Sequence, residues 1–225
     1  IGFVPWFRWA GWFPRTDAEQ AWIKEQWMGW QRAGASAYYR PNWFLDGYAM
    51  PLVYMHQFAD AFQFYAQHGM TGTDFDSLQG QWAAQGPNLY LLAHIHTRPD
   101  VPVDSLLNEY YDGFGAASQA VHAYFSYWED YAVENSARAA DAIRNRGGYF
   151  RRYAKYAQVA EEIYPPTVFQ PAKELLSTAM AEAGDDAVAQ KRLLFLQQGL
   201  RHAEQCVRTA AGINNPNATL AEPKA

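Results

Sequence analysis

"MTGTDFDSLQGQW", residues 70 to 82, sets how this chain is read. Its opening residues suit a buried strand, expected over 70–76. Asp74 and Asp76 stand two apart, and the period-2 alternation of a strand puts both carboxylates on one face. The stretch then runs into polar Gln79, Gly80 and Gln81 and reaches Trp82, an aromatic just past the expected strand end.

Upstream, residues 52–67 carry Leu52, Met55, Phe58, Ala59, Phe62 and Ala66 at helical spacing, and Gly69 closes that helix. Residues 36–42, "SAYYRPN", read as a second strand. Thr16 and Glu19 fit a capping box, so a helix is expected from there to about Ala33, ended by Gly34. Residues 1–9, "IGFVPWFRW", read as a further strand, with Pro5 an objection. Strands near 3–9, 36–42 and 70–76, separated by helices, imply adjacent parallel βα units. Three units cannot close a barrel, which needs eight strands and roughly 250 residues. The fold expected is therefore α/β: the C-terminal part of a (β/α)8 TIM-type barrel over 1–115, then an all-α helical bundle.

Downstream, residues 86–97 read as mainly helical, and 103–112 as a short amphipathic helix stopped near Gly113 and Gly115. Over 116–145, Val121, Phe125, Trp128 and Ala132 form one stripe, broken at Gly147-Gly148. Further helices are expected over 149–163 and from Pro171 to Gly184. The last helix places Ala189, Leu193, Leu196, Leu200, Ala203 and Val207 at alternating spacings of three and four. The helical region is assigned to 116–213 and a flexible tail to 214–225.

Composition narrows the function classes. The 225 residues are 49% hydrophobic and 18% charged, which is globular. A net charge of -5 and a pI near 5.7 give no electrostatic reason to expect nucleic acid. No apolar run reaches the roughly 18 residues of a membrane span. A single cysteine, Cys206, excludes an internal disulfide framework and reads as a packing residue. Aromatics make up 16%, including nine Trp and fifteen Tyr. The start at Ile1, without a signal-like segment, reads as part of a longer protein, with localisation unknown from this chain.

In parallel α/β folds, ligands gather at the carboxyl ends of the strands. The polar and aromatic residues that fall there are Tyr39, Arg40, Asn42, Trp43 and Asp46 after the second strand, and Asp74, Asp76, Trp82 and Gln85 after the third. Two buried carboxylates on one face are costly unless something binds them. Sugar hydroxyls donate to carboxylates while the C–H face of a sugar stacks on an aromatic ring, so this set has the composition of a carbohydrate cleft. Asp74 and Asp76 could also perform acid–base chemistry on a glycosidic bond. The other reading makes them caps of the next segment or partners of Arg40. Trp22, Trp27 and Trp30 read as packing residues, while Trp43 and Trp82 are open between packing and stacking. His94 and His96 point apart on a helix, so no metal is expected, and no cofactor.

The stretches "YYRPNWFLDGYAMP" (38–51), "HGMTGTDFDSLQGQWAAQGPNLYLLAHI" (68–95) and "PVDSLLNEYYDGFG" (102–115) resemble the DUF4838 family of bacterial glycoside-hydrolase-like proteins. This family includes glycoside hydrolase family 163, endo-β-N-acetylglucosaminidases acting on N-glycans. The resemblance covers about residues 1–130. It implies a secreted or periplasmic protein with a glycan partner, a (β/α)8 catalytic barrel followed by a helical region, and the general acid in an N-terminal half not included in this chain. A non-catalytic carbohydrate-binding protein and a helical interaction or scaffold module are the alternatives. The sequence leaves the sugar, linkage and oligomeric state open.

Overall fold

The computed structural model describes residues 1–5, 16–41, 49–75, 81–145 and 152–214. Among them, β1 (Gly2–Phe3), β2 (Ala37–Tyr39) and β3 (Met70–Thr73) form one parallel sheet in the order β1-β2-β3. Gly2 pairs with Tyr38 and Tyr39 with Thr73, with one register irregularity between Ala37 and Tyr39. Helix α1 (Asp17–Arg32) joins the first two strands and α2 (Met55–Gln67) precedes the third.

The expectation of a (β/α)8 barrel portion is corrected here. Among the described residues, 74% are helical and 5% lie in strands, in a small three-stranded sheet with no barrel wall. The sequence spacing reports parallel βα pairing, which any open α/β sheet shares, and carries no information on closure. The strands are also shorter than the apolar stretches suggested. β3 stops at Thr73, so Asp74 lies just beyond it, although its N–H still donates to the Tyr39 carbonyl at 3.0 Å.

Local chemistry explains the helices that hold this sheet. Thr16 Oγ1 accepts from the Glu19 N–H at 3.3 Å, and Glu19 Oε2 accepts from the Thr16 N–H at 3.0 Å. That reciprocal cap satisfies two donors that the first turn of α1 leaves free. On the core face of α1, fully buried Trp27 meets Phe3 edge-on at 5.3 Å and Tyr65 of α2 at 4.7 Å. Tyr39 is also fully buried, 4.7 Å from Tyr65. These rings tie the sheet to both helices, each pair adding about 0.5–1.5 kcal/mol beyond area burial.

Beyond the sheet the chain is helical: α3 (Trp82–Ile95), α4 (Val103–Asp112), α5 (Ser118–Glu134), α6 (Ser136–Asn145), α7 (Arg152–Ile163), α8 (Phe169–Glu182) and α9 (Ala187–Asn214). Helix α3 is kinked at Gln85 (φ -133°, ψ 22°), two residues before Pro87, whose missing N–H and ring disfavour a straight helix there. The single helix expected over 116–145 divides at Asn135. The Arg138 guanidinium gathers that bend, donating to Tyr131 Oη and Asn135 Oδ1, both at 2.8 Å. The stripe foreseen on α9, from Ala189 to Val207, is buried at every position. Buried apolar residues form one connected cluster from Ile23 to Val207, so the boundary expected near residue 115 does not interrupt the core.

Candidate functional site

The sequence-expected site residues fall in two places. At the carboxyl edge of the sheet, Arg40 Nε lies 3.3 Å from Asp74 Oδ2. The Asp74 side chain is 58% exposed and that of Arg40 29%. This is the Arg40 pairing that the sequence offered as the alternative to ligand binding. Tyr39 lies beneath as part of the core. Phe75 packs edge-on against it at 6.1 Å. His96, the C-cap of α3, closes the far side: its Nε2 is 2.8 Å from Thr73 Oγ1 and its Nδ1 donates to the Leu92 carbonyl at 2.7 Å. Asn42, Trp43, Asp46 and Asp76 lie outside the described residues.

Trp82 belongs elsewhere. It opens α3, whereas the strand-edge His96 follows the other end of that helix. Asp74 is not among the described residues that line a groove with Trp82. Gln85, expected to touch substrate, is fully buried, and its Nε2 donates to the Met50 carbonyl at 3.1 Å. One turn on, Asn88 accepts from the Tyr54 N–H at 3.2 Å and donates to the Leu52 carbonyl at 2.9 Å. These two amides moor the segment that leads into α2, a structural role.

Trp82 instead lines a groove of about 510 Å³ between α3, α4 and α9. Helix α3 contributes Trp82 and Tyr90, α4 contributes Glu109 and Tyr110, and α9 contributes Lys191, Arg192 and Phe195. Two glycines permit this arrangement. A Cβ on Gly199 would lie 2.5 Å from that of Ala83, so its absence lets α9 approach α3 closely. A Cβ on Gly86 would overlap the Tyr110 hydroxyl. Trp82 and Phe195 remain 52% and 50% exposed, so their rings are open to a ligand in the groove.

The α4 wall is electrostatically fixed. Arg98 grips Glu109 with two bonds, Nη1 to Oε1 at 2.6 Å and Nη2 to Oε2 at 2.8 Å. Tyr90 Oη donates to Glu109 Oε2 at 3.2 Å. Hydrogen bonding from Arg98 holds the Glu109 carboxyl below its ordinary value, despite opposing desolvation. A carboxylate offers about four acceptor positions. Among the described residues three are taken, which leaves one without a donor from that set.

A second charged cluster, one that the sequence analysis did not single out, surrounds His56. Its Nδ1 lies 2.6 Å from Glu129 Oε2 and its Nε2 3.0 Å from Asp104 Oδ1. Glu129 also accepts the His56 backbone N–H at 2.8 Å. Hydrogen bonding to Glu129, with its charge and that of Asp104, raises the imidazole to about 9 against the cost of burial. With both ring nitrogens facing carboxylates, His56 is an imidazolium that clips α2 to α4 and α5. The contacts cross 48 and 73 residues of sequence, so no local pattern announced them.

Among the described residues, no group of three or more His, Cys, Asp or Glu side chains is arranged to hold a metal ion. His94 is turned to Arg98, with Nδ1 at 2.8 Å, and His96 to Thr73. No helix among them is long and apolar enough to cross a membrane. No family model, curated protein or solved structure matches this chain.

Proposed function

We propose that this chain is a carbohydrate-active protein that binds a glycan in the groove between α3, α4 and α9. The observation that carries this reading is the groove itself: about 510 Å³, with exposed Trp82 on one side and the fixed Glu109 carboxylate on another. A sugar needs both surfaces. Its axial C–H face stacks on a ring, and its hydroxyls donate to a carboxylate and accept from cations. The volume suits a ligand of one to a few sugar rings, within the usual range of about 300–1,000 Å³ for small-molecule sites. The resemblance to glycoside-hydrolase-like proteins supports the same ligand class.

Binding is favoured over hydrolysis by the acid–base state of the lining. Cleavage of a glycosidic bond commonly uses two carboxyl groups, one of them protonated to act as an acid. Among the described lining residues, Glu109 is the carboxylate, and Arg98 keeps it ionised. A hydrolytic centre would draw its acid from elsewhere.

The test is a glycan microarray probed with the purified chain, followed by calorimetry on the best ligand. Trp82→Ala should weaken that binding by roughly two- to tenfold, the worth of one lost stacking platform. Circular dichroism should remain unchanged, because Trp82 is half exposed. Equal affinity in the variant would remove the groove as the site.

A further inference from the structure

The groove is electrically lopsided. On its α9 wall stand Lys191 and Arg192, both exposed. Lys191 has no ion pair among the described residues. Arg192 donates to the Gly113 main-chain carbonyl, which leaves its charge uncompensated by any carboxylate it touches among those residues. Across the groove, Glu109 is already matched by Arg98. The nearby Asp186 is engaged as the cap of α9, accepting from the N–H groups of Val188 and Ala189 at 2.9 and 3.0 Å. The lining therefore has an excess of positive charge within a chain whose net charge is -5. A local excess of that sign concentrates anions at this groove.

We infer that the glycan held in this groove carries an anionic group, a carboxylate or sulfate on the sugar ring, which is received by Lys191 and Arg192 while the ring stacks on Trp82. This rests on the glycan-binding reading above and adds the ligand's charge and orientation. The geometry sets the direction. Hydroxyls face the open acceptor position of Glu109 on the α4 wall, and the acidic group faces α9. A neutral sugar would leave two cations without a counter-charge. A sugar with its acid turned the other way would bring it against Glu109, and like charges at close range are disfavoured.

The experiment compares trigalacturonate with its methyl ester, a pair sharing rings and linkages but not charge, together with sulfated and neutral oligosaccharides on one array. The expected result is a preference of about tenfold or more for the anionic member, the usual worth of hydrogen bonds to a charged group. That preference should shrink as salt rises and should fall several-fold in Lys191→Gln. Neutral glycans binding as tightly as anionic ones would overturn the inference while leaving the groove a glycan site. Failure of every glycan to bind the wild-type chain would overturn both. Anionic binding unchanged by Lys191→Gln paired with Arg192→Gln, in protein of native circular dichroism, would also overturn the inference by placing the acidic group elsewhere.

Discussion

Gly199 of α9 lies so close to Ala83 of α3 that a Cβ added there would stand 2.5 Å from the Ala83 Cβ and 3.1 Å from its carbonyl carbon and oxygen. Two of those three neighbours are backbone, which cannot rotate away. In a free helix, Gly→Ala is worth about 1 kcal/mol in favour of Ala. Overpacking commonly costs about 1–3 kcal/mol, and here it should win. Gly199→Ala is expected to lower stability by about 1 kcal/mol and to splay α9 from α3. Gly212, in the same helix with nothing within 4 Å, is the control, and Gly212→Ala should stabilise. Urea denaturation of both variants decides it: stabilisation by both would mean that α9 is not pressed against α3.

His56 makes stability depend on pH in a defined window. Its folded-state value is raised to about 9 from 6.5. A raised value means that the native state holds the proton more tightly, so the contribution is full below about 6.5 and is lost as pH rises through 9. Denaturation midpoints should therefore decline between pH 6.5 and 9.5. His56→Gln should be less stable than wild type at pH 6 and should show a flatter decline. The half-exposed imidazole keeps the effect modest. Parallel pH profiles for the two proteins would exclude the clip.

The sequence was most legible where local chemistry decides the outcome. The Thr16 capping box, the stops at Gly34, Gly69 and Gly184, the stripe on α5 and the α9 repeat each depend on residues within a turn or two of one another, and each is present. The parallel pairing of the strands also followed from their spacing. Closure into a barrel did not, because sheet size is set by how many strands pair. The site was legible only in part for the same reason. Trp82 could be picked out as an aromatic beside polar residues, but Tyr110, Lys191 and Phe195 meet it only through the α3–α9 approach. The sequence signals that existed were Gly86 and Gly199 within helical patterns, since an isolated helical glycine often marks close packing. Asp74 and Trp82 are near in sequence, yet Asp74 pairs with Arg40 and does not line the groove that Trp82 lines.

The two regions separate experimentally. Asp74→Asn removes an ion pair that is largely open to solvent, so the stability loss should be below about 1 kcal/mol. Because Asp74 is not among the residues that line the Trp82 groove, the same change should leave glycan affinity within twofold. Loss of binding in Asp74→Asn, with Trp82→Ala silent, would move the site to the sheet edge.

The last expectation concerns how acid releases the ligand. Glu109 accepts from sugar hydroxyls only while ionised, and Arg98 holds its carboxyl below the ordinary 4.5. Affinity for a neutral glycan should therefore persist down to pH 4.5 and fall only as pH drops through the depressed value. Removing the guanidinium in Arg98→Ala takes away the main cause of that depression. The acid limb should then shift to higher pH, toward the ordinary carboxyl range. Arg98→Lys should lie between, since a lysine keeps the charge but cannot reproduce the two-bond grip. Calorimetric titrations between pH 3.5 and 7, with circular dichroism at each point to confirm folded protein, measure the three midpoints. A common midpoint for all three would show that the ligand's hydroxyls are received by some group other than Glu109.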